Sequence, residues 1–276
     1  MAVSIQGKTI IITGASSGIG EAGAKKLAAA GARVCLVARR QEELERVRQE
    51  IEAAGGTAWI YPADLSKDAD VEAVGRQILA EHPRIDVLIN NAGRSIRRTV
   101  KESLDRFHDY QRTMQLNYFA AVRLTLAMLP RMFEQREGHI INVSSMSALM
   151  PTPYYSAYVG SKSALDGFSR CLASELVDRG IHVTVINFPL VKTAMTAPTK
   201  AYRYLRQMDV NDAGDWLVKA VQKRPARITS NMGHAWALST TVLPGTTADW
   251  TGRLFREFGK RLARKAERDE KAASSG

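Results

Sequence analysis

The feature that most constrains this chain is a repeated alternation of short, β-branched apolar runs with longer amphipathic stretches. Runs of this kind pair as parallel strands when each is followed by a helix that crosses back over the sheet. The alternation therefore predicts an α/β fold with a Rossmann-type doubly wound parallel sheet in the order 3-2-1-4-5-6. The predicted strands are Lys8 to Thr13, Arg33 to Ala38, Thr57 to Tyr61, Asp86 to Asn90, His139 to Ser144 and His182 to Asn187. The predicted helices lie near Gly18 to Ala30, Gln41 to Ala54, Ser66 to Glu81, Ser103 to Arg136 and Ala157 to Arg179.

Glycines mark the ends of several predicted helices, and the loss of the strand–helix alternation marks the predicted end of the domain. Gly31, Gly55 and Gly180 stand where three predicted helices end, as a left-handed C-terminal cap requires. After Leu190 the alternation weakens into stretches that contain Pro, Thr and Gly. We predict a single domain over residues 1–230, with a substrate loop at about 189–210, followed by a C-terminal extension over residues 231–276.

Composition limits the classes of protein that are consistent with this fold. The 276 residues are 45% hydrophobic, and no segment approaches 18 uninterrupted apolar residues, so we expect neither export nor a membrane span but a cytoplasmic location. Cys35 and Cys171 have no CxxC spacing and are predicted to be buried reduced thiols. The five histidines lack ligand spacing, and no metal site is expected. A net charge of +11 favours anionic partners, which charge alone leaves open among nucleotides, CoA esters, lipid and nucleic acid.

A glycine-rich stretch follows the first predicted strand and opens the first predicted helix. Glycine lets the backbone approach a pyrophosphate, and the helix offers unpaired N–H groups and its positive end. A turn without a ligand is the alternative, but the strand before and the helix after the glycines favour dinucleotide binding. The candidate residues are Gly14, Ser16, Ser17, Gly18, Ile19 and Gly20.

The end of the second predicted strand bears on the choice between NAD and NADP. Ala38 stands where an NAD-binding protein places an acid for the ribose 2′-hydroxyl, and Arg39 and Arg40 follow at the start of a helix, whose dipole disfavours cations. A 2′-phosphate opposite the arginines resolves that conflict, and NADPH is the predicted cofactor. The alternative is a solvated arginine pair neutralised by nearby glutamates of the same helix.

Tyr158 and Lys162 stand four residues apart and so share one face of a helix. An ammonium beside a phenol favours the phenolate, which lowers the phenol pKa from its usual value of about 10. A Tyr-x-x-x-Lys pair alone is common on helix surfaces. Because a nucleotide loop precedes it here, we interpret Tyr158 as an acid/base group.

These motifs together resemble the short-chain dehydrogenase/reductase superfamily over Gly7 to Thr193. The resemblance rests on Thr13-Gly-x-x-x-Gly18-x-Gly20, Asp64-Leu65, Asn90-Asn91-Ala92-Gly93, Asn117, Ser145 and Tyr158-x-x-x-Lys162 in that order. It implies that Asp64 and Leu65 flank the adenine and that Thr193 contacts the nicotinamide amide. It further implies that Asn91, Ala92 and Gly93 support the ribose side of the nucleotide.

The same resemblance implies hydride transfer from a nicotinamide to a carbonyl carbon. Ser145, 13 residues before Tyr158, would hydrogen-bond the carbonyl oxygen, and Tyr158 would donate the proton. Lys162 would lower the Tyr158 pKa and hold the ribose hydroxyls, while Asn117 would fix a water that leads protons towards solvent. Ser144 and Ser147 do not match the position of that serine and are interpreted as polar loop residues.

The chain departs from the superfamily pattern after its sixth predicted strand. Phe188-Pro189-Leu190-Val191-Lys192-Thr193 has leucine where relatives usually have glycine, which puts the geometry of this loop in doubt. The same stretch resembles bacterial fatty acyl-CoA reductases of the superfamily. The stretches from Ile89 to Arg98, from Asp105 to Tyr118 and from Lys223 to Ile228 resemble them as well.

Two groups of residues are compatible with an acyl-CoA substrate. Basic side chains follow the Asn91-Ala92-Gly93 motif closely and are candidates for the CoA phosphates, or else a solvated basic face or a subunit contact: Arg94, Arg97, Arg98 and Lys101. Small and apolar residues after Pro189 either line an acyl channel or pack as core: Ala194, Met195, Ala197 and Tyr202.

The C-terminal extension carries a basic amphipathic pattern over residues 250–265. Trp250, Leu254, Phe258 and Leu262 recur every four residues between arginines and lysines. The pattern fits packing on the fold or on a subunit, or a peripheral membrane contact. A homo-oligomer is expected. Nucleic acid is not, because no nucleic-acid module accompanies the charge.

Three functions remain at this point. The first is an NADPH-dependent reductase of long-chain fatty acyl-CoA to the aldehyde, and the second is an NADPH-dependent reductase of ketones or aldehydes, such as a 3-oxoacyl thioester or a steroid. A non-enzymatic NADPH sensor is disfavoured because Asn117, Ser145, Tyr158 and Lys162 are all present.

Overall fold

A seven-stranded parallel sheet forms the centre of the molecule, in the order β3-β2-β1-β4-β5-β6-β7. The computed structural model describes residues 2–257 and 261. The doubly wound α/β fold and the order of the six predicted strands are confirmed. The strands are β1 Thr9–Thr13, β2 Arg33–Ala38, β3 Thr57–Pro62, β4 Val87–Asn90, β5 Gly138–Ser145, β6 Ile181–Phe188 and β7 Arg227–Ile228.

Helices cover both faces of the sheet, and alternate residues of each strand point to opposite layers. On one face Ile10 and Ile12 pack with Leu27 of α1 and Leu217 of α7, whereas on the other face Ile11 packs with residues of α3, α5 and α6. The α-helices are α1 Gly18–Ala29, α2 Gln41–Ala53, α3 Asp68–Glu81, α4 Phe107–Met114, α5 Ala120–Gln135, α6 Ser156–Glu175, α7 Val210–Lys223 and α8 Asn231–Val242. A further helix follows over residues 244–257. Among the residues described, no helix is long and apolar enough to cross a bilayer.

The predicted continuous helix from Ser103 to Arg136 is wrong. The chain instead forms a 3-10 turn at Lys101–Ser103, then α4, then a π turn at Gln115–Phe119, then α5. Asn117 lies in the π turn, where its side chain bonds to the loop after β4 and to α6. The hydrophobic pattern of a sequence predicts which face of a helix is buried. It does not show that one turn of the helix contains an extra residue, as the π turn does here.

The region after Leu190 holds more regular structure than its sequence predicts. The helix α7 and the two-residue strand β7 were both missed. The doubtful loop after β6 is held by main-chain bonds, from Met208 N–H to the Leu190 carbonyl at 2.8 Å and from Lys192 N–H to the Met208 carbonyl at 3.0 Å. None of residues 188–193 adopts a positive φ, so the loop closes without the glycine that the sequence pattern led us to expect there.

Two smaller expectations have opposite outcomes. Gly31, Gly55 and Gly180 adopt φ of 89°, 82° and 70°, which confirms the predicted left-handed positions after three helices.

Cys35 is buried as expected, but Cys171 is exposed. Cys171 precedes the buried Leu172 by one residue, and one residue of a helix turns the side chain by about 100°, which carries it off the buried face of α6.

Candidate active site

The candidate residues meet at the carboxyl ends of the strands, which is where open α/β sheets bind their ligands. β1 leads into the glycine loop, β2 into Arg39, and β4 into Asn91. β5 ends at Ser145, and the loop after β6 brings Thr193 to the same edge. Thr193 lies against the glycine loop, because a Cβ built on Gly18 would meet its Cγ2 at 3.3 Å.

The glycine loop is packed so closely that side chains do not fit at two positions. Gly14 has φ of 68°, and a Cβ there would lie 3.0 Å from Ala92 Cα. A Cβ on Gly20 would lie only 2.3 Å from the Gly14 carbonyl oxygen. Asn91 braces the loop by donating from Nδ2 to the Thr13 carbonyl at 2.8 Å, and Thr13 Oγ1 accepts from the Asn91 N–H at 2.9 Å.

This loop has the properties of a phosphate cradle. Helix α1 begins at Gly18, and Ser17 before it makes no side-chain cap bond to the helix N–H groups. Those N–H groups and the positive helix end remain available to an anion. Ser16 is buried and Ile19 is half-buried beside the turn. The residues present therefore fit the pyrophosphate of a dinucleotide.

At the end of β2, Arg39 and Arg40 are exposed, and Ala38 between them and the sheet is buried. Arg40 lies 3.9 Å from Glu43, whereas Arg39 forms no ion pair within the described residues. Arg39 and Asp64 are close enough for the guanidinium to lower the Asp64 pKa, although the hydrogen bond from Ser66 is the larger cause. Asp64 thus faces its own loop, and Leu65 beside it is buried. The free guanidinium of Arg39 fits a 2′-phosphate.

Lys162, Asn117 and Gly93 converge beneath the catalytic end of the sheet. A Cβ on Gly93 would lie 3.3 Å from Lys162 Nζ and 3.2 Å from Asn117 Oδ1. Asn117 accepts from Arg94 N–H at 2.8 Å and donates from Nδ2 to the Arg94 carbonyl and the Ser161 hydroxyl, both at 2.9 Å. The Asn117 side chain therefore joins the loop after β4 to α6.

The pKa values in the site differ from the sequence-based expectation. Lys162 is buried and donates to the Val143 carbonyl at 2.7 Å, and burial lowers its pKa to about 8. Burial raises the pKa of the Tyr158 phenol, and a hydrogen bond from Ser145 opposes that rise. The Lys162 ammonium bonds to the Val143 carbonyl, and burial sets the direction of the Tyr158 pKa shift. Tyr158 therefore holds its proton at neutral pH, as a proton donor must.

Ser147 has a role that its sequence position did not reveal. Its hydroxyl donates to Ser145 Oγ at 2.8 Å, and its N–H donates to the same oxygen at 3.2 Å. With its oxygen accepting two bonds, Ser145 has its own proton free to donate. Ser147 is a polar residue of the turn after β5, as interpreted from the sequence, and the structure adds its contact with Ser145. Ser144 is buried at the end of β5. The Ser147–Ser145 contact depends on the 3-10 turn after β5, and the spacing of the two residues in the sequence does not predict it.

The basic residues after β4 do not form one cluster. Arg98 Nε lies 3.1 Å from Asp109, a buried carboxylate that also pairs with Arg106 and Arg112. These hydrogen bonds and charges outweigh burial and lower the Asp109 pKa to about 2. Arg97 instead stacks over the Tyr154 ring at 4.8 Å and is exposed. Arg98 is therefore a structural ion-pair partner, whereas Arg97 faces solvent.

The loop after Pro189 carries an apolar and aromatic surface. Ala194, Met195 and Ala197 are exposed, so their alternative interpretation as core is wrong. Tyr202 shares a phenol–phenol hydrogen bond with Tyr155, which lies one helical turn before Tyr158. Burial raises the pKa of the Tyr202 phenol, and the positive charge of Arg97 opposes that rise by a smaller amount. The Tyr202–Tyr155 hydrogen bond thus links the loop after Pro189 to the start of α6, the helix that carries Tyr158. The exposed apolar side chains belong to the same loop.

Comparison with known proteins agrees with this geometry. Residues 8–203 match the short chain dehydrogenase family. A fatty acyl-CoA reductase of Acinetobacter baylyi is 51% identical over 87% of this chain and 82% of that protein. A Beutenbergia cavernae structure with bound NADP, described as a putative NAD(P)-dependent gluconate 5-dehydrogenase, is 30% identical to this chain with a TM-score of 0.76. The match covers 86% of this chain and 99% of the Beutenbergia cavernae chain. A 3-oxoacyl (acyl-carrier-protein) reductase of Agrobacterium tumefaciens with NADP bound is 25% identical with a TM-score of 0.75, over 81% and 90% of the two chains.

The fold, the glycine loop and the Ser145, Tyr158 and Lys162 arrangement define a nucleotide-dependent oxidoreductase. The chain belongs to the short-chain dehydrogenase family and, as its members do, acts on a small-molecule substrate.

Proposed function

We propose that this enzyme is an NADPH-dependent reductase that converts a long-chain fatty acyl-CoA into the fatty aldehyde and free CoA. The observation that carries the substrate class is the 51% identity, over 87% of the chain, to a fatty acyl-CoA reductase. The exposed apolar residues of the loop after Pro189 are compatible with an acyl chain. The cofactor is supported by the free Arg39 guanidinium and by solved relatives that hold NADP.

When bound, NADPH supplies the hydride to the thioester carbonyl carbon. Ser145, with its proton freed by Ser147, donates a hydrogen bond to the carbonyl oxygen as negative charge develops. Tyr158 holds its proton at neutral pH and delivers it to that oxygen. Lys162 would hold the ribose hydroxyls of the bound nucleotide, and Asn117 ties the loop after β4 to α6, the helix that carries Lys162. The resulting hemithioacetal collapses to aldehyde as the C–S bond breaks and CoA leaves as the thiol.

A second function is favoured by a separate observation. The Agrobacterium tumefaciens relative is named a 3-oxoacyl (acyl-carrier-protein) reductase. In this second function Ser145 and Tyr158 would act on the carbonyl oxygen of a ketone in the same way. Such an enzyme leaves the thioester intact. The two functions are therefore distinguished by the fate of the C–S bond.

Thiol release tests the proposed substrate directly. With a saturated long-chain acyl-CoA we expect one free thiol for the first NADPH consumed, measured by a thiol reagent alongside absorbance of NADPH. A 3-oxoacyl thioester serves as the comparison substrate. Oxidation of NADPH with 3-oxoacyl thioester but no thiol from the saturated acyl-CoA would establish the second function instead.

Arg39→Ala should weaken NADPH by about 1.5–3 kcal/mol, the typical value of a hydrogen bond to a charged group, and leave NADH affinity unchanged. The reason is that the exposed guanidinium has no ion-pair partner among the described residues and is free for the 2′-phosphate. Binding is measured by quenching of protein fluorescence with each nucleotide. Arg76→Ala, an exposed arginine of α3, is the control, and equal losses for NADPH and NADH in Arg39→Ala would show that Arg39 does not bind the phosphate.

A further inference from the structure

The residues after β7 form two consecutive helices that bury little of their surface. The first is α8, in which Gly233 is the one fully buried residue, and the second spans residues 244–257, where Thr247 and Thr251 are buried. Trp236 and Trp250 pack between them with ring centroids 5.7 Å apart. We call these two helices the C-terminal helical pair.

One face of α8 is apolar and exposed. Met232, Ala235, Leu238 and Val242 follow helical spacing on the side opposite Gly233, and all four are exposed. Leu238 and Val242 are 66% and 64% exposed, and Leu243, Trp250 and Leu254 in the following residues are exposed as well. Several large apolar side chains exposed on one short segment indicate a contact with a partner or a membrane.

Charge selects the partner. Residues 253–265 contain six basic residues and one acidic residue, and Arg253, Arg256 and Arg261 are exposed among those described. The predicted amphipathic segment 250–265 lies partly outside the described residues, at 258–260 and 262–265. Two copies of this face would bring two strongly basic ends together, whereas an anionic lipid surface neutralises them.

The C-terminal helical pair also contacts the catalytic turn. Thr240 Oγ1 donates to the Leu149 carbonyl at 3.1 Å, and Ser230 Oγ lies 3.3 Å from Met146 Sδ. Met146 and Leu149 bound the turn that directly follows Ser145. The apolar face is therefore carried by a unit that contacts the turn after Ser145.

We propose that the C-terminal helical pair docks this enzyme on an anionic membrane surface, with the exposed face of α8 at the lipid. Docking there brings the catalytic turn to the phase in which long-chain acyl chains and aldehydes partition. That benefit rests on the proposed acyl-CoA substrate, whereas docking itself does not depend on which carbonyl is reduced.

Vesicle binding by the full chain tests the proposal without any turnover. We expect co-sedimentation with phosphatidylcholine–phosphatidylglycerol vesicles, little with phosphatidylcholine alone, and a blue shift of tryptophan emission on binding. Leu238→Glu with Val242→Glu should weaken binding to the anionic vesicles by at least about tenfold, because two charges enter the lipid-facing surface. Val177→Glu changes an apolar residue that is 73% exposed elsewhere and should bind as the parent does.

Two further measurements separate the alternatives. Circular dichroism and the affinity for NADPH should match the parent in the double variant, since Leu238 and Val242 are not part of the active site. Equal vesicle binding by parent and double variant would overturn the proposal, as would no binding to anionic vesicles. A parent oligomer that dissociates in the double variant, seen by light scattering, would identify the face as a subunit interface and overturn it equally. Because no substrate is used, failure of the acyl-CoA assay leaves this result unaffected.

Discussion

Tyr158→Phe is expected to lower kcat by about 10²- to 10⁴-fold, the contribution typical of a positioned general acid. In the proposed mechanism the phenol delivers its proton to the carbonyl oxygen, and burial keeps that proton bound at neutral pH. Phenylalanine preserves the ring between Ser145 and Tyr155 but removes the proton. Affinity for NADPH should stay near the parent value, because Lys162 and the glycine loop are unchanged.

The pH dependence of this effect follows from the direction of the pKa shift. The burial that raises the Tyr158 pKa extends the protonated, reducing form to higher pH. The parent rate should therefore fall only on the alkaline side, as the phenol loses its proton, and the residual rate of Tyr158→Phe should not show that fall. Single-turnover absorbance of NADPH across a pH series measures both.

A second tyrosine provides the control for that variant. Tyr118→Phe removes a hydroxyl from a ring that packs against Phe119 and Phe168. Its turnover should equal that of the parent. Near-parental turnover by Tyr158→Phe would eliminate Tyr158 as the proton donor, and a loss of NADPH binding in that variant would mean that the substitution had disturbed the fold.

The sequence predicted six of the seven strands and singled out the candidate cofactor residues, because both predictions depend on local patterns. Apolar runs such as Thr9–Thr13 report buried strands, and glycines report positions that need positive φ or close backbone approach. Arg39 could be singled out because an unpaired cation at a helix start is unfavourable. These signals lie within a few residues of one another along the chain.

What the sequence missed depends on contacts between distant segments. The π turn around Asn117 exists because its amide bonds to Arg94 and to Ser161, which is 44 residues away. The two-residue strand β7 is too short to show periodicity. Arg98 resembles its neighbour Arg97 in sequence, yet only the fold places it on the buried Asp109.

The pKa of Tyr158 also depends on features that the sequence does not show. Spacing places Lys162 on the face of α6 that carries Tyr158, but spacing does not say where the ammonium points or how much solvent is lost. The structure directs Lys162 Nζ to Val143 and buries both groups. Desolvation then disfavours both charged forms, which raises one pKa and lowers the other.

The second large effect is expected from Gly20→Ala, which should weaken NADPH by about a hundredfold and destabilise the fold by about 1–3 kcal/mol. Alanine normally stabilises a helix relative to glycine by up to about 1 kcal/mol, so propensity alone predicts the opposite sign. At Gly20 the new Cβ would lie 2.3 Å from the Gly14 carbonyl oxygen and 2.6 Å from Asn91 Nδ2. Both atoms belong to the phosphate cradle or its brace, so relief of the clash must move the loop that receives the pyrophosphate.

Gly167→Ala isolates that steric cause from helix propensity. Gly167 lies in α6, and a Cβ there would meet no atom within 4 Å, so this variant should be as stable as the parent or more stable, with unchanged affinity for NADPH. Thermal unfolding with and without NADPH measures both quantities in the two variants. The parent and Gly167→Ala should gain stability from the nucleotide as mass action requires, whereas Gly20→Ala should gain much less at the same concentration. An equal gain in Gly20→Ala would show that the glycine loop tolerates the displacement and that the close approach of Gly14 to α1 is not what positions the pyrophosphate.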